Sequence, residues 1–380
     1  MSKLKVAFIG LKGIPAKWGG IEVYVEEIAK RLVQRGHEVT VYCRKWFTEN
    51  NDFYSGIKIV KTPTIKTKAT DALLHGFTSS LHASFQNYNV IHCHGLASYY
   101  SSIFPKLWGK RVVITVHATS WNEPKWNHFA AETIKRAAFL GMRMADTITT
   151  ISPFLKNFLE EISGKRVILT PPGVNIKPDQ KPKHIYEKYG LKGQDYILFM
   201  GRLDSVKRID WIIKAFKALS HSNELKLVIA GDPGPSDSLK YKNYLIRLTE
   251  GDTRIIFTGF QSGRIKEELL SNCLLFVLPS ISEGVPIALL EAMSYGRPSL
   301  VSIIPAHTHI IHDNKNGFLA PLNNFECFCQ KLQSIIALNQ NILQNIGNKA
   351  RKYIQKNFNW EVTVKVFEKI YYNLLGGEDV

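Results

Sequence analysis

The sequence predicts an α/β protein of two domains, each wound on a parallel sheet. Three observations support this. At 380 residues the chain is long for one hydrophobic core. Short, uniformly apolar runs alternate with helical patterns in both halves, as in strands covered on both faces by helices. Between the halves, PPGVN at 171–175 and the polar KPDQKPKH after it break the pattern, which then restarts. Domains are accordingly expected at residues 1–178 and 179–360.

Composition narrows the class. A hydrophobic content of 45% with 21% charged residues fits a folded protein, and no apolar run approaches the ~20 residues that span a bilayer. MSKLKVAFIG has too short an apolar core for a signal peptide and ends in a glycine loop, so it reads as a first strand. Cys43, Cys93, Cys273, Cys327 and Cys329 are odd in number and scattered, which argues against a disulfide framework. The lone C-x-C lacks the second pair of a zinc site. A cytoplasmic location is expected. The net charge of +17 is uneven: residues 1–185 hold 26 Lys/Arg against 13 Asp/Glu, and residues 186–380 hold 23 against 19. The excess in the first half suggests an anionic partner, whether membrane headgroups, a phosphorylated acceptor or nucleic acid.

Taken in order, Lys5–Gly10 (KVAFIG) is a buried strand, followed by LKGIPAKWGG, whose glycines lack the dinucleotide-binding spacing. Gly19 and Gly20, just before a helix over Ile21–Arg35, let backbone N–H groups approach a ligand; a surface turn would use the same residues. Glu38–Cys43 is the second strand. Lys61, Lys66 and Lys68 then precede a helical pattern with Leu73, Leu74, Phe77 and Leu81. It reads as a solvated loop leading to a core-facing helix, or as a basic amphipathic surface against anionic lipid. VIHCHG (90–95) and VVITVH (112–117) are strands ending in His94 and His117, at the edge where parallel sheets present ligands. Neither histidine has carboxylate or cysteine partners at metal-binding spacing. Trp121 and Trp126 shape an acceptor cleft or simply pack. A helix over Phe129–Met144, the strand DTITTIS and a helix from about Pro153 complete the half.

The second half opens with the strand Tyr196–Gly201 and RLDSVKRID, which leads into a helix through Trp211 and Phe216. Arg202 and Lys207 flank a turn at the ligand edge, where a diphosphate needs fixed positive charge. Leu225–Gly231 and Arg254–Gly259 are further strands. The stretch Leu274–Pro298 organises this half: a buried strand, the loop ISEG, and a helix with Pro286 in its first turn and a Gly296–Pro298 stop. Glu283 lies at the helix mouth and Glu291 about a turn and a half further in. Two carboxylates so spaced can address one long polar ligand, and the first helical N–H groups attract anions. Those features describe a sugar nucleotide. Pro298–Ile303 and NKNGFLA supply two more strands, and the tail from about Leu343 carries two helical patterns, the last with Trp360, Val364, Phe367, Tyr371 and Leu374 at helical spacing.

EGVPIALLEAMSYGRP, with its E-x7-E pair Glu283 and Glu291, resembles glycosyltransferase family 4, retaining enzymes of the GT-B fold. Gly201, Arg202 and Lys207 match that family's G-R-x-x-x-x-K diphosphate clamp, TVH its active-site histidine, and PPGVN its interdomain segment, with Pro172 where asparagine is usual. The resemblance spans nearly the whole chain. It implies two Rossmann-like domains facing across a cleft, with the last helix (about 361–380) packing back on the first domain. It implies transfer of a sugar from a nucleoside-diphosphate sugar to a sugar or lipid-linked acceptor, with retention and without a metal or other cofactor. Glu283 would hold sugar hydroxyls, Glu291 the ribose, and His117 would orient sugar and acceptor. The diphosphate would meet Gly19, Gly20, Arg202, Lys207 and the helix start at Gly284, Val285, Pro286 and Ile287; Phe260 falls where the family contacts the base. No D-x-D occurs in the sequence. A peripheral position at the inner membrane face fits the basic first half, and no nucleic-acid motif is present. A sugar-nucleotide epimerase of the same fold and a non-catalytic anion-binding protein are the alternatives.

Overall fold

In a computed structural model of the chain, residues 2–16, 19–48, 51–65, 70–118, 128–219, 224–234 and 239–376 are described, the side chains of 128–131 excepted. The chain divides into two compact units, Met1–Gly173 with Trp360–Val380, and Val174–Asn359. The change of unit falls inside PPGVN. There Gly173 lies so close to Trp360 that a Cβ on it would come within 2.1 Å of the Trp360 nitrogen.

The first unit carries β1 Lys5–Ile9, β2 Glu38–Arg44, β3 Phe53–Tyr54, β4 Ile57–Thr62, β5 Val90–His94, β6 Arg111–Val116, β7 Thr147–Thr150 and β8 Val167–Leu169. Their order is β3-β4-β2-β1-β5-β6-β7-β8, and every pairing is parallel except the β3–β4 hairpin. That hairpin turns on Ser55 and Gly56, both at positive φ (50° and 78°), the geometry that matches strand twist. Val6, Ala7, Phe8 and Ile9 are all fully buried, as a central parallel strand requires. The order of strands reverses direction between β1 and β5, the switch point at which α/β sheets open a crevice. Gly10 (φ 99°) follows β1 there, and a Cβ on it would fall 1.7 Å from the His94 carbonyl oxygen.

Helix Trp360–Leu374 belongs to this unit. Arg35 pairs with Glu368 at 2.9 Å and with Glu361 at 2.7 Å, and the Tyr371 hydroxyl lies 2.7 Å from His92 Nδ1. Helix Asp71–Ser84 departs from its expected orientation. Its packed face is His75, Gly76, Ser79, Ser80 and Ala83, while Leu73, Leu74 and Leu81 are half-buried and Phe77 is exposed. The cause is polar anchoring. Arg44 pairs with Asp71 at 2.6 Å, Thr62 bonds His75 and Ser79 at 2.9 Å each, and Ser80 bonds Ser101 at 2.8 Å. Lys66, Lys68, Trp121 and Trp126 lie outside the described residues.

The second unit carries β9 Tyr196–Met200, β10 Lys226–Ala230, β11 Ile255–Gly259, β12 Leu275–Leu278, β13 Ser299–Ser302 and β14 Phe318–Ala320, all parallel, in the order β11-β10-β9-β12-β13-β14. Its switch point lies between β9 and β12, and both loops singled out in the sequence leave from it. After β14 the tail carries the two expected helices, Gln340–Asn357 and Trp360–Leu374, and a further helix, Phe325–Ile336, precedes them. The unforeseen Phe325–Ile336 is capped by Asn324, whose side chain accepts the Cys327 N–H at 3.2 Å. No helix among the described residues is long and apolar enough to cross a membrane.

Candidate active site

The site builds from two loops at the β9/β12 switch point. After β9, Asp204 caps a single 3-10 turn, Ser205–Lys207, by accepting the Val206 N–H at 3.0 Å. After β12, the loop from Pro279 runs to helix Ile287–Ser294. The Ile281 N–H donates to the Val206 carbonyl at 2.8 Å and ties the loops together. This brings the Lys207 ammonium onto the Glu283 carboxylate. Only 20% of the Lys207 side chain and 10% of the Glu283 side chain are exposed. Burial pushes the Glu283 carboxyl up, but the Lys207 charge and hydrogen bond outweigh it, and the group titrates below the usual carboxylate range.

Arg202 stands on the same rim, half exposed, with its guanidinium 3.0 Å from Asp204. Gly284, Val285 and Ile287 are partly exposed beside Glu283. Pro286 is the residue just before the helix rather than within its first turn; its carbonyl accepts from Leu289 and Leu290 at 3.0 and 3.2 Å. Glu291 sits on the helix as expected, but with a partner of its own, Lys266, at 2.6 Å. The two glutamates therefore each carry a separate lysine. Phe260 follows β11. Its N–H donates to Asp232 at 2.8 Å and its ring is exposed, while Lys242 reaches the same carboxylate at 2.6 Å.

In the first unit, His117 directly follows β6 and Gly19 directly precedes the helix that comes after β1. The His117 Nε2 lies 2.9 Å from His94 Nδ1, and Tyr24 meets the His117 ring edge-on at 5.0 Å. Burial lowers the His117 pKa to about 3 and holds His94 well below its ordinary value, so both rings are neutral near pH 7. Gly19 (φ 92°) precedes helix Gly20–Gln34, where a Cβ would fall 2.3 Å from a Glu22 oxygen. Glu22 also accepts the Lys12 N–H at 3.0 Å, so a carboxylate already stands at this helix start.

The structure thus gathers Arg202, Lys207, Glu283 and the Gly284–Ile287 segment at one sheet edge, with Glu291 along the adjoining helix. Lys266, Asp232, Ser280 and His307 are additions. Each is a single polar residue in an otherwise ordinary element, with no spacing signal to mark it. Among the described residues no group of three or more His, Cys, Asp or Glu could hold a metal ion.

A family model described as "Glycosyl transferases group 1" matches residues 183–353, and one described as "Glycosyltransferase Family 4" matches residues 18–177. The chain belongs to these glycosyltransferases. This glycosyltransferase is 22% identical to N-acetyl-alpha-D-glucosaminyl L-malate synthase of Bacillus anthracis, over 97% of each chain. It is 29% identical to UDP-Gal:alpha-D-GlcNAc-diphosphoundecaprenol alpha-1,3-galactosyltransferase of Escherichia coli, over 54% of its own length and 51% of that protein. Sucrose-phosphate synthase from Thermosynechococcus elongatus superposes with a TM-score of 0.84 at 20% identity, covering 98% of this chain and all of that one. The two parallel-sheet units are those of the GT-B fold.

Proposed function

We propose that this glycosyltransferase moves a sugar from a nucleoside-diphosphate sugar to an acceptor hydroxyl with retention of anomeric configuration and without a metal. The observation that carries the reading is the Lys207–Glu283 pair beside Arg202 at the second sheet's switch point. As the C1–O bond to the diphosphate breaks and the acceptor oxygen bonds C1, negative charge grows on the departing phosphate oxygen. Arg202, Lys207 and the start of helix Ile287–Ser294 stabilise that charge. The acceptor proton passes to the same phosphate oxygen, which places attack on the face the leaving group vacates. Glu283 holds sugar hydroxyls, Glu291 the ribose diol, and His117 serves the acceptor.

A lipid-linked or surface-polysaccharide acceptor is the favoured class, supported by the diphosphoundecaprenol in the name of one relative and the basic first half. Exposed Phe77, Phe85, Leu107 and Trp108 on the first unit support a peripheral position on an anionic membrane at its cytoplasmic face.

A thermal-shift screen of UDP-, GDP- and dTDP-sugars identifies the donor, since binding to the folded state raises apparent stability. Turnover of that donor in EDTA, with the product anomer read by proton NMR, then tests the mechanism. An inverted product, or activity restored only by manganese, would overturn it; a sugar altered while still on the nucleotide would make the protein an epimerase.

A further inference from the structure

His307 is fully buried in the short helix Pro305–Thr308 after β13. Its Nδ1 lies 3.0 Å from both the Ser302 hydroxyl and the Ser302 carbonyl oxygen. A carbonyl can only accept. The Ser302 hydroxyl proton is already given to the Ser280 carbonyl at 2.5 Å, so that oxygen also accepts from the ring. Two independent constraints therefore put the hydrogen on Nδ1 and leave Nε2 bare.

Nε2 is buried, and no residue among those described bonds it. The ring feels both charges of the Lys207–Glu283 pair. Burial drops its pKa to about 4, Glu283 opposes that fall and Lys207 adds to it. Ser302 and Ser280 sit at the ends of the neighbouring strands β13 and β12, so the histidine is fixed to the strand end from which the Glu283 loop departs.

We propose that His307 is a positioning residue of the donor site, a role that rests on the donor reading above. Its bare Nε2 gives the Lys207 ammonium a second acceptor, holding that cation at the site when a diphosphate draws it away from Glu283. A neutral acceptor suits this place better than a third carboxylate. It orients the lysine without adding negative charge beside the diphosphate.

Two substitutions separate the ring's two nitrogens. His307→Asn keeps a donor where Nδ1 bonds Ser302 and removes the acceptor at Nε2. His307→Gln places an amide oxygen at the Nε2 position. With UDP as the probe at pH 7, His307→Asn is expected to bind about tenfold more weakly at an unchanged melting temperature. His307→Gln should retain most of the affinity. In nitrogen-15 NMR of histidine-labelled protein, His307 should show the Nδ1–H form, and its Nε2 resonance should move on UDP addition and in Glu283→Gln. A protonated Nε2, or a resonance indifferent to Glu283→Gln, would overturn the proposal, as would equal UDP binding by the Asn variant and the wild type. Should the wild type not bind UDP at all, the UDP donor fails, and the tautomer with its response to Glu283→Gln decides the histidine's role without a nucleotide.

Discussion

The Lys207 ammonium rests on the Glu283 carboxylate across 76 residues of sequence, because the turn after β9 and the loop after β12 are tied by one backbone hydrogen bond. Removing either partner leaves a largely buried charge alone. Lys207→Met should destabilise the second unit by about 1–3 kcal/mol, and Glu283→Gln by less, since an amide oxygen still accepts from the Lys207 ammonium, which is the more exposed partner of the two. A double-mutant cycle from urea unfolding should give a coupling free energy clearly above zero; additive effects would show the pair to be idle in the free protein.

The same pair sets an acid limit. The folded-state pKa of Glu283 lies below the value of about 4.3 for an unfolded glutamate. Its stabilising contribution is therefore complete above that value and is lost as pH falls through the lower, folded one. The difference in unfolding free energy between wild type and Glu283→Gln should be constant from pH 7 to 5 and shrink below pH 4. Equilibrium denaturation across that range measures it.

Arg202 is half exposed and pairs with the neighbouring Asp204, so Arg202→Ala should leave melting nearly unchanged while lowering kcat by about 10²–10³-fold. Turnover at saturating donor is the measurement, and an unaltered rate would remove Arg202 from the site. Lys266→Ala frees Glu291 from its ion pair without touching Lys207 or Glu283. A rise in donor KM at constant kcat is expected if Glu291 holds the ribose, because that contact is equally present before and during transfer.

Acid should loosen the first unit before the second. His75, His92, His94 and His117 are buried there with pKa values lowered by desolvation, to about 3 for His75 and His117. His307 in the second unit is lowered to about 4. Below pH 6.5 the unfolded chain binds protons that these rings refuse, so stability falls as pH drops from 6.5 towards the folded values. By pH 5 His75, His117 and His307 each cost about 2 kcal/mol. Pulsed hydrogen exchange after incubation at pH 5, read by peptide, should label β5 and β6 before β9 and β10; simultaneous labelling would contradict this.

The strands and the switch-point loops were legible because their signals are local. YILFMG followed by Arg202 and Lys207, or LLFVLPS followed by Glu283, each state an element and its outlet within a dozen residues. Helix Asp71–Ser84 misled for the opposite reason. Its apolar positions suggested an inward face, but Arg44 and Thr62, brought in from neighbouring strands, bond Asp71, His75 and Ser79 and turn the polar face to the sheet. No periodicity can register partners supplied from elsewhere. Lys266 and His307 carry no local signal for the same reason, since Lys266 matters through a contact 25 residues away and His307 through the charges of Glu283 and Lys207. The Ser55–Gly56 dipeptide is itself a turn signal for the β3–β4 hairpin.

The first unit is discontinuous: Arg35 and His92 find Glu368 and Tyr371 only in the closing helix. During synthesis the ribosome delivers Val174–Asn359 before those partners emerge, so the later unit can finish folding while the earlier one still lacks a wall. A chain stopped at residue 359 would leave His92 Nδ1 without Tyr371 and the Arg35 guanidinium without Glu361 and Glu368. Quality control in the cell would meet such a fragment as an unfinished N-terminal half attached to a completed C-terminal one.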